Sequence, residues 1–150
     1  MATLVLYPYA IRYLGNGTVD WDTDTLKVAL LTSSASSDIA TADTFSDVST
    51  YEITTAGGYT TGGITLTGAT VTLDTSTVTF DLTDTVLSAS GGDIDAHRYY
   101  YIYKSGTTNG VTDPGLLYGY DSLSSDVPAT VDGTSLTLRW NSGGVFTGTV

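Results

Sequence analysis

The sequence of 150 residues has no cysteine and few positive charges. Without cysteine the chain can form neither disulfides nor thiolate zinc sites, and it has no thiol nucleophile. Lysine and arginine together number 5 against 16 aspartates and glutamates, which gives a net charge of −11. So few cations cannot form the broad basic surface to which nucleic acids and anionic membranes bind. We therefore expect neither nucleic acid nor a membrane as a partner.

The sequence also lacks a long apolar run. No segment approaches the roughly 20 apolar residues that a membrane-spanning helix needs. The N-terminal stretch MATLVLYPYAIRYLG has no basic segment ahead of its apolar residues, which Pro8 interrupts. We therefore predict no secretory signal. Charged residues make up only 14% of the chain, so Thr, Ser, Gly and Asn must supply most of the polar surface. That composition is typical of β structure with many turns.

Short alternating runs of apolar and polar residues indicate the fold class. They predict about seven to nine strands separated by turn residues. The clearest strand is 26–31, which is apolar on both sides, and 71–82 is typical of a hairpin. At this length we expect one domain with its own core. We predict an all-β, single-domain antiparallel β-sandwich or barrel over 18–150, preceded by an N-terminal arm and a short helix over 1–17.

Long loops rich in glycine and threonine separate some of these strands. The longest covers 33–63 and contains two Gly-Gly pairs in AGGYTTGG. No lysine and no helical run follow these glycines, which argues against a phosphate-binding loop. We expect the glycines to permit positive φ angles and close backbone approach.

Residues that could carry catalysis are sparse. His97 is the only histidine, and Glu52 is the only glutamate. A catalytic triad or a histidine metal cluster would need His97 with ordered partners, and no Gly-x-Ser-x-Gly motif accompanies it. Most aspartates lie among Thr, Ser and Gly, where Asp commonly caps the backbone N–H groups of turns. We therefore expect no enzymatic activity and no cofactor.

The segment DWDTDT has two interpretations. Asp20, Asp22 and Asp24 alternate like the start of a calcium-binding loop. An EF-hand also needs Gly at its sixth position and Glu at its twelfth, where Thr25 and Leu31 stand instead. A calcium site of β type, completed by loop carbonyls, is one interpretation. The other is a polar turn that precedes the apolar strand.

The stretch HRYYYIYKSG, residues 97–106, places four tyrosines within five positions. If the alternate residues of this strand face the core, one set of side chains faces outward. That set is His97, Tyr99, Tyr101 and Tyr103. Three interpretations remain open: a central strand that the chain's own loops cover, a protein–protein interface, or a platform for stacking sugars. In the second interpretation the apolar N-terminal arm joins the interface through Leu4, Leu6, Tyr7 and Tyr9.

Several stretches together resemble a family of small structural proteins in tailed-phage virions. They are DTLKVAL at 24–30, GYTTGG at 58–63 and the ending WNSGGVF at 140–146, with YIYKSG and GLLYGY between them. The resemblance runs from about residue 7 to residue 147. It implies a capsid cement or decoration protein on the virion surface, synthesised in the host cytoplasm. No catalytic residues come with the resemblance.

The resemblance also implies partners. These are the major capsid protein and further copies of this chain, as a homo-oligomer that would be a trimer by analogy with cement proteins at threefold axes. One alternative is an adaptor of the phage neck, tail or fibre. Another is a carbohydrate-binding β-sandwich in which Tyr99, Tyr101 and Tyr103 stack on sugars and Asp20–Asp24 holds calcium.

Overall fold

A computed structural model describes residues 3–149, and it confirms the predicted all-β class. The strands within that range are β1 (Thr3–Leu6), β2 (Leu26–Leu31), β3 (Ile64–Thr65), β4 (Thr70–Asp74), β5 (Thr77–Asp81), β6 (Thr85–Ser88), β7 (Tyr99–Lys104), β8 (Thr107–Thr108), β9 (Val111–Thr112), β10 (Gly115–Tyr120), β11 (Ser135–Leu138) and β12 (Phe146–Thr149). The helices are α1 (Pro8–Gly15) and three short 3-10 helices, Ser33–Ser37, Phe45–Asp47 and Ser49–Tyr51.

The largest sheet has five antiparallel strands in the order β1–β10–β7–β2–β3. Its central strand is β7, where Tyr101 pairs with Tyr118 of β10 on one side and with Ala29 of β2 on the other. All of β7 is buried, and β2 is buried at every position except Lys27. Strands that are covered on both faces read as nearly continuous apolar runs, which explains the sequence of β2. The predicted strand at 26–31 is confirmed.

Smaller sheets form a second layer against the five-stranded sheet. Their strand orders are β12–β5–β4 and β11–β6. Leu6 of β1 lines the same groove as Phe80 of β5, and Tyr100 of β7 lines the same cavity as Leu138 of β11. The buried residues of both layers belong to one core. The architecture is therefore a sandwich-like arrangement of antiparallel sheets.

The predicted hairpin at 71–82 corresponds to β4 and β5. Its loop contains only Thr75 and Ser76, and Thr75 has a positive φ of 51°. The alternation of the sequence separates the two faces of this hairpin. Val71 and Leu73 lie on one face, while Thr70 and Thr72 lie on the other.

The N-terminal segment contains the predicted short helix but not the predicted arm. Helix α1 begins with Pro8, whose fixed φ suits the first turn, and the N–H of Asn16 closes it by donating to the carbonyl of Arg12. β1 lies at the edge of the five-stranded sheet, and it pairs with β10 along its whole length. Gly119 of β10 permits this packing, since a Cβ there would lie 2.6 Å from Leu4 Cδ2. The arm expected within 1–17 is corrected to a strand of the main sheet.

Candidate interaction surface

The tyrosine row lies in the core and not on the surface. Tyr99 and Tyr103 are each 3% exposed, and Tyr101 and His97 are 0% exposed. The Phe45 ring stacks on Tyr103 with ring centroids 4.5 Å apart. Because the chain itself covers these side chains, the interface assignment of all four residues and the sugar-stacking assignment of the three tyrosines are wrong. The structure supports the interpretation of a central strand under the chain's own loops.

Tyr7 was also assigned to the interface and is also buried. It is 1% exposed, its ring lies 5.8 Å from that of Tyr101, and its hydroxyl donates to the carbonyl of Ile39. The other N-terminal candidates differ from Tyr7, since Leu4 and Leu6 are half-buried and Tyr9 is 39% exposed. Of the predicted interface residues, Leu4, Leu6 and Tyr9 therefore keep access to a partner.

Burial shifts the proton equilibria of the tyrosines in the core. Loss of solvent raises the pKa of five phenols above the usual value: Tyr7, Tyr59, Tyr100, Tyr101 and Tyr103. The hydroxyl of Tyr103 donates to the Gly62 carbonyl at 2.6 Å. The hydroxyl of Tyr101 has no partner among residues 3–149. The phenols are thus neutral packing and donor groups, and none is set up as a nucleophile.

His97 is a core histidine. Burial lowers its pKa, which favours the neutral ring. Its Nδ1 lies 3.5 Å from the carbonyl oxygen of Asp95, and its Nε2 has no hydrogen-bond partner within the described range. The ring meets Tyr100 edge-on at a centroid distance of 5.3 Å. This environment does not align His97 between a nucleophile and a carboxylate, as a triad would require.

The candidate calcium ligands hold the turn instead. Asp24 accepts the backbone N–H of Asp20 through Oδ2 at 2.8 Å, which ties the two ends of the turn together. A hydrogen bond with Asp20 is the main cause that raises the pKa of Asp22. Within residues 3–149 no three His, Asp or Glu side chains come together as metal ligands. Within the described residues, Asp20, Asp22 and Asp24 are thus not brought together as a three-carboxylate site, which favours the interpretation as a polar turn.

Glu52 organises the glycine-rich loop. Its carboxylate accepts the Tyr59 hydroxyl at 2.5 Å, the Gly62 N–H at 2.9 Å and the Gly63 N–H at 3.0 Å. The Tyr59 hydroxyl in turn accepts the N–H of Leu30 at 3.0 Å, beyond the point where β3 stops pairing with β2. The N–H groups of Gly62 and Gly63 are thus already occupied. This role of Glu52 is not among those predicted from the sequence. The signal that could have indicated it is a single glutamate close to two Gly-Gly pairs.

An exposed apolar face lies on the sheet β12–β5–β4. Leu73 is 72% exposed, and Val71 is 39% exposed. They pair across the sheet with Val78 and Phe80, and Phe80 stacks on Phe146 of β12 with ring centroids 4.2 Å apart. The indole of Trp21 packs edge-on against both phenylalanine rings and holds that end of the face to the core. The hairpin end of the same face is left open.

A groove continues this apolar face toward helix α1. Its volume is about 290 Å³, and apolar side chains of both layers line it. Its apolar residues are Leu6, Ile11, Leu14, Phe80 and Phe146. Ile11 is 63% exposed at its rim. We call the hairpin face and this groove together the apolar strip: Val71, Leu73, Val78, Phe80, Phe146, Leu6, Ile11 and Leu14.

A second, polar cavity is lined by residues of β7 and β11. It has a volume of about 400 Å³, and Asp84, Asp121, Arg139, Tyr100 and Trp140 line it together with smaller side chains. Asp121 accepts the Tyr100 hydroxyl at 2.7 Å, and Asp84 accepts the backbone N–H of Trp140 at 2.9 Å. Each carboxylate thus has one oxygen fixed by a buried aromatic residue. Carboxylates, a guanidinium and an indole together suit a polar, hydroxyl-bearing ligand.

No protein-family model, no curated protein and no solved structure matches this chain. Between residues 3 and 149, the structure contains no helix of the length and apolarity needed to cross a bilayer.

Proposed function

We propose that the protein is a non-enzymatic structural component of a phage virion, a capsid cement or decoration protein that binds the major capsid protein on the capsid surface. The observation that carries this proposal is the apolar strip. It joins exposed side chains of β4 and α1 through the rings of Phe80 and Phe146. The motif resemblance described above supplies the class of partner.

Exposed apolar patches of this kind typically mark sites that another protein covers. Burial of Leu73 and Ile11, which are 72% and 63% exposed, would contribute about 1–2 kcal/mol each. A single copy would bind weakly through so small a surface. A cement protein contacts a repeating lattice at many places, so linked weak contacts give a stable coat.

The charge of the protein agrees with a position outside the shell. A net charge of −11 repels phosphate backbones and so limits attraction to the packaged nucleic acid. The five-stranded sheet supplies a stiff body, because its central strands are buried on both faces. Such a body transmits load between neighbouring capsid subunits without any chemical step.

Binding of purified protein to empty capsid shells tests this proposal. We expect the protein to sediment with the shells, and we expect Ile11→Gln to weaken binding by about tenfold, the effect of losing one buried aliphatic side chain. Leu123→Gln is the matched control, because Leu123 is 61% exposed but lies outside the apolar strip. The proposal would be refuted if the protein did not sediment with the shells, or if both substitutions weakened binding equally.

Copy number in purified particles separates the cement role from its alternative in the same particle. A number close to that of the major capsid protein supports cement. A few copies per particle would instead assign the protein to the neck, tail or fibre as an adaptor. The same apolar strip would then contact a different virion protein.

A second candidate function is carbohydrate binding, and the polar cavity favours it. The tyrosines of β7 cannot provide the platform, since they are buried, but Trp140 borders the cavity beside Asp121 and Arg139. Titration with a panel of oligosaccharides tests this role. Binding that is lost in Arg139→Ala and Asp121→Asn would favour it over the cement role. Absence of binding across the panel would remove it.

A further inference from the structure

Strand β4 is an edge strand with unusual exposure. It lies outermost in the order β12–β5–β4, and no described strand pairs with its outer side. All five of its residues, Thr70–Asp74, are exposed. Natural edge strands are commonly protected by lysine, proline or a bulge, because a free edge can pair with another strand. The sequence TVTLD contains neither lysine nor proline.

The backbone geometry shows which groups of β4 point outward. The Phe80 carbonyl accepts the N–H of Val145 at 2.7 Å, so the backbone of Phe80 faces away from β4. Its partner Val71 is therefore in a non-hydrogen-bonded pair, and hydrogen-bonded pairs alternate with such pairs along an antiparallel ladder. By the same alternation Leu73 is also not bonded to β5. The N–H and C=O groups of Val71 and Leu73 thus point to the open edge.

We infer that β4 pairs with β4 of a second copy, antiparallel about a twofold axis at Thr72, and joins two three-stranded sheets into one six-stranded sheet. This register places Val71 opposite Leu73 of the other copy, twice by symmetry. Both residues carry the outward backbone groups, so the pairing forms four hydrogen bonds. Registers shifted by one residue would put inward groups opposite outward groups and lose these bonds.

The side chains of the strand are complementary to themselves in this register. On the apolar face Val71 packs against Leu73 of the other copy, which covers the most exposed part of the apolar strip. On the polar face Thr72 meets Thr72, and Thr70 stands opposite the carboxylate of Asp74. Cross-strand pairs of these kinds are favourable, whereas like charges directly opposite each other are not. No like-charged pair forms in the shared ladder.

Charge opposes the contact at longer range. Each copy carries a net charge of −11, and repulsion between two such bodies weakens as salt screens it. The shared edge is also short, so the dimer is expected to be weak and dependent on concentration. A twofold contact yields a dimer, in contrast to the trimer that the resemblance implies. The contact forms in the free protein and does not depend on the proposed capsid partner.

Cysteine cross-linking tests the register directly, since the natural chain has no cysteine. Residues of a non-hydrogen-bonded antiparallel pair have Cα atoms about 4.5 Å apart, within the range that a disulfide spans. Thr72→Cys should therefore form a disulfide-linked dimer under mild oxidation. Thr79→Cys is the matched control, because Thr79 pairs with Thr72 within the hairpin but lies on the interior strand β5. We expect Thr72→Cys to cross-link at least about tenfold faster, since pairing raises the effective thiol concentration.

Sedimentation of the unmodified protein provides an independent test. The mass should rise from monomer to dimer with protein concentration, and added salt should shift the midpoint to lower concentration. Leu73→Thr should move the midpoint upward, whereas Leu123→Thr should leave it unchanged. A monomer that persists at about 1 mM, the weak end of specific association, would overturn the inference. Equal cross-linking of the two cysteine variants would overturn it as well.

The two proposals fail separately. Thr72→Glu puts two like charges directly opposite each other in the shared ladder, and Thr72 lies on the polar face outside the apolar strip. Loss of the dimer in Thr72→Glu with retained shell binding would leave the cement role intact. Loss of shell binding in Ile11→Gln with a retained dimer would leave the β4 contact intact, because Ile11 lies on α1 and not on β4.

Discussion

Strands β7 and β4 lie in opposite environments. Every residue of β7 is buried, whereas every residue of β4 is exposed. β7 carries aromatic residues on both faces and lies between two partner strands. β4 alternates threonine with valine and leucine and lies at an edge. The environment of a strand therefore depends on its place in the sheet and on the distant segments that cover it.

Alkaline pH should have the largest effect on stability, because the buried tyrosines lie in and around the five-stranded sheet. Their raised pKa means that above about pH 10 the unfolded chain releases phenolic protons before the folded chain does. Above that pH, each of the five tyrosines should lower the free energy of unfolding by about 1.4 kcal/mol per pH unit. For all five together the loss is about 7 kcal/mol per pH unit.

Urea unfolding between about pH 9 and 11, the range around the ordinary phenol pKa, measures this effect. We expect cooperative loss of structure together with the tyrosinate absorbance. Tyrosines that titrate near pH 10 while the sheet stays folded would contradict the assignment. The sheet β12–β5–β4 contains no tyrosine, so its own pairing adds nothing to this sensitivity.

Matched leucine substitutions in β2 and β4 should differ strongly in their effect on stability. Leu30→Ala in β2 should lower the free energy of unfolding by about 2–5 kcal/mol, because Leu30 is fully buried and a cavity remains. Leu73→Ala in β4 should change it by less than about 0.5 kcal/mol, as expected for a surface site. Denaturant midpoints measured below the dimerisation concentration check both values. Similar losses at the two sites would show that the hairpin is buried in solution.

A smaller effect is expected where the loop meets the edge of the main sheet. Glu52→Gln replaces one acceptor oxygen by an amide NH2 group, which cannot accept the hydrogen bonds that the loop donates to the carboxylate. We expect the free energy of unfolding to fall by about 1–3 kcal/mol. Asp74→Asn is the control from the exposed hairpin, where the carboxylate accepts the Thr75 hydroxyl at 3.2 Å and no other side-chain donor among residues 3–149. Its effect should stay within about 0.5 kcal/mol. Thermal unfolding at neutral pH distinguishes the two, and equal shifts would argue against the role of Glu52.

The smallest effect is expected inside β7 itself. Tyr101→Phe removes a buried hydroxyl that has no partner in the described structure, so the variant should lose no stability, because an unpartnered buried hydroxyl already carries its desolvation penalty. Tyr103→Phe loses the hydrogen bond to Gly62 and should cost about 0.5–1.5 kcal/mol. Urea midpoints of the two variants test the ranking. A larger loss for Tyr101→Phe would mean that its hydroxyl has a partner in solution.

The strands could be predicted from the sequence because their signals are local. The apolar run 26–31 and the hairpin at 71–82 are each recognisable within about ten residues. The environment of Tyr99–Lys104 was not predictable in this way. Its cover comes from Phe45 and Tyr7, which are distant in the chain, so alternation alone left three interpretations open. For the same reason the local sequence predicts an arm where the structure has the strand Thr3–Leu6, since its partner β10 lies far along the sequence.

Only part of the apolar strip can be predicted from the sequence. The alternation of β4 identifies Val71 and Leu73 as neighbours on one face. The alternation does not show that this face is exposed to solvent. The exposure depends on which distant residues pack against the hairpin, and Trp21 packs against Phe80 but leaves Leu73 exposed. Leu6 was predicted to contact a partner as part of an arm, whereas the structure places it in a groove wall beside Phe146.

The pairing of β1 with β10 has a consequence for biosynthesis. Thr3 pairs with Tyr120, so the segment that leaves the ribosome early must wait for one that emerges much later. β2 waits likewise for β7, with which it pairs from Leu26 to Leu31. Closing such distant pairs is slow, and apolar strands stay open to aggregation in the interval. Maturation of the molecule is therefore expected to be post-translational and sensitive to crowding by its own nascent copies.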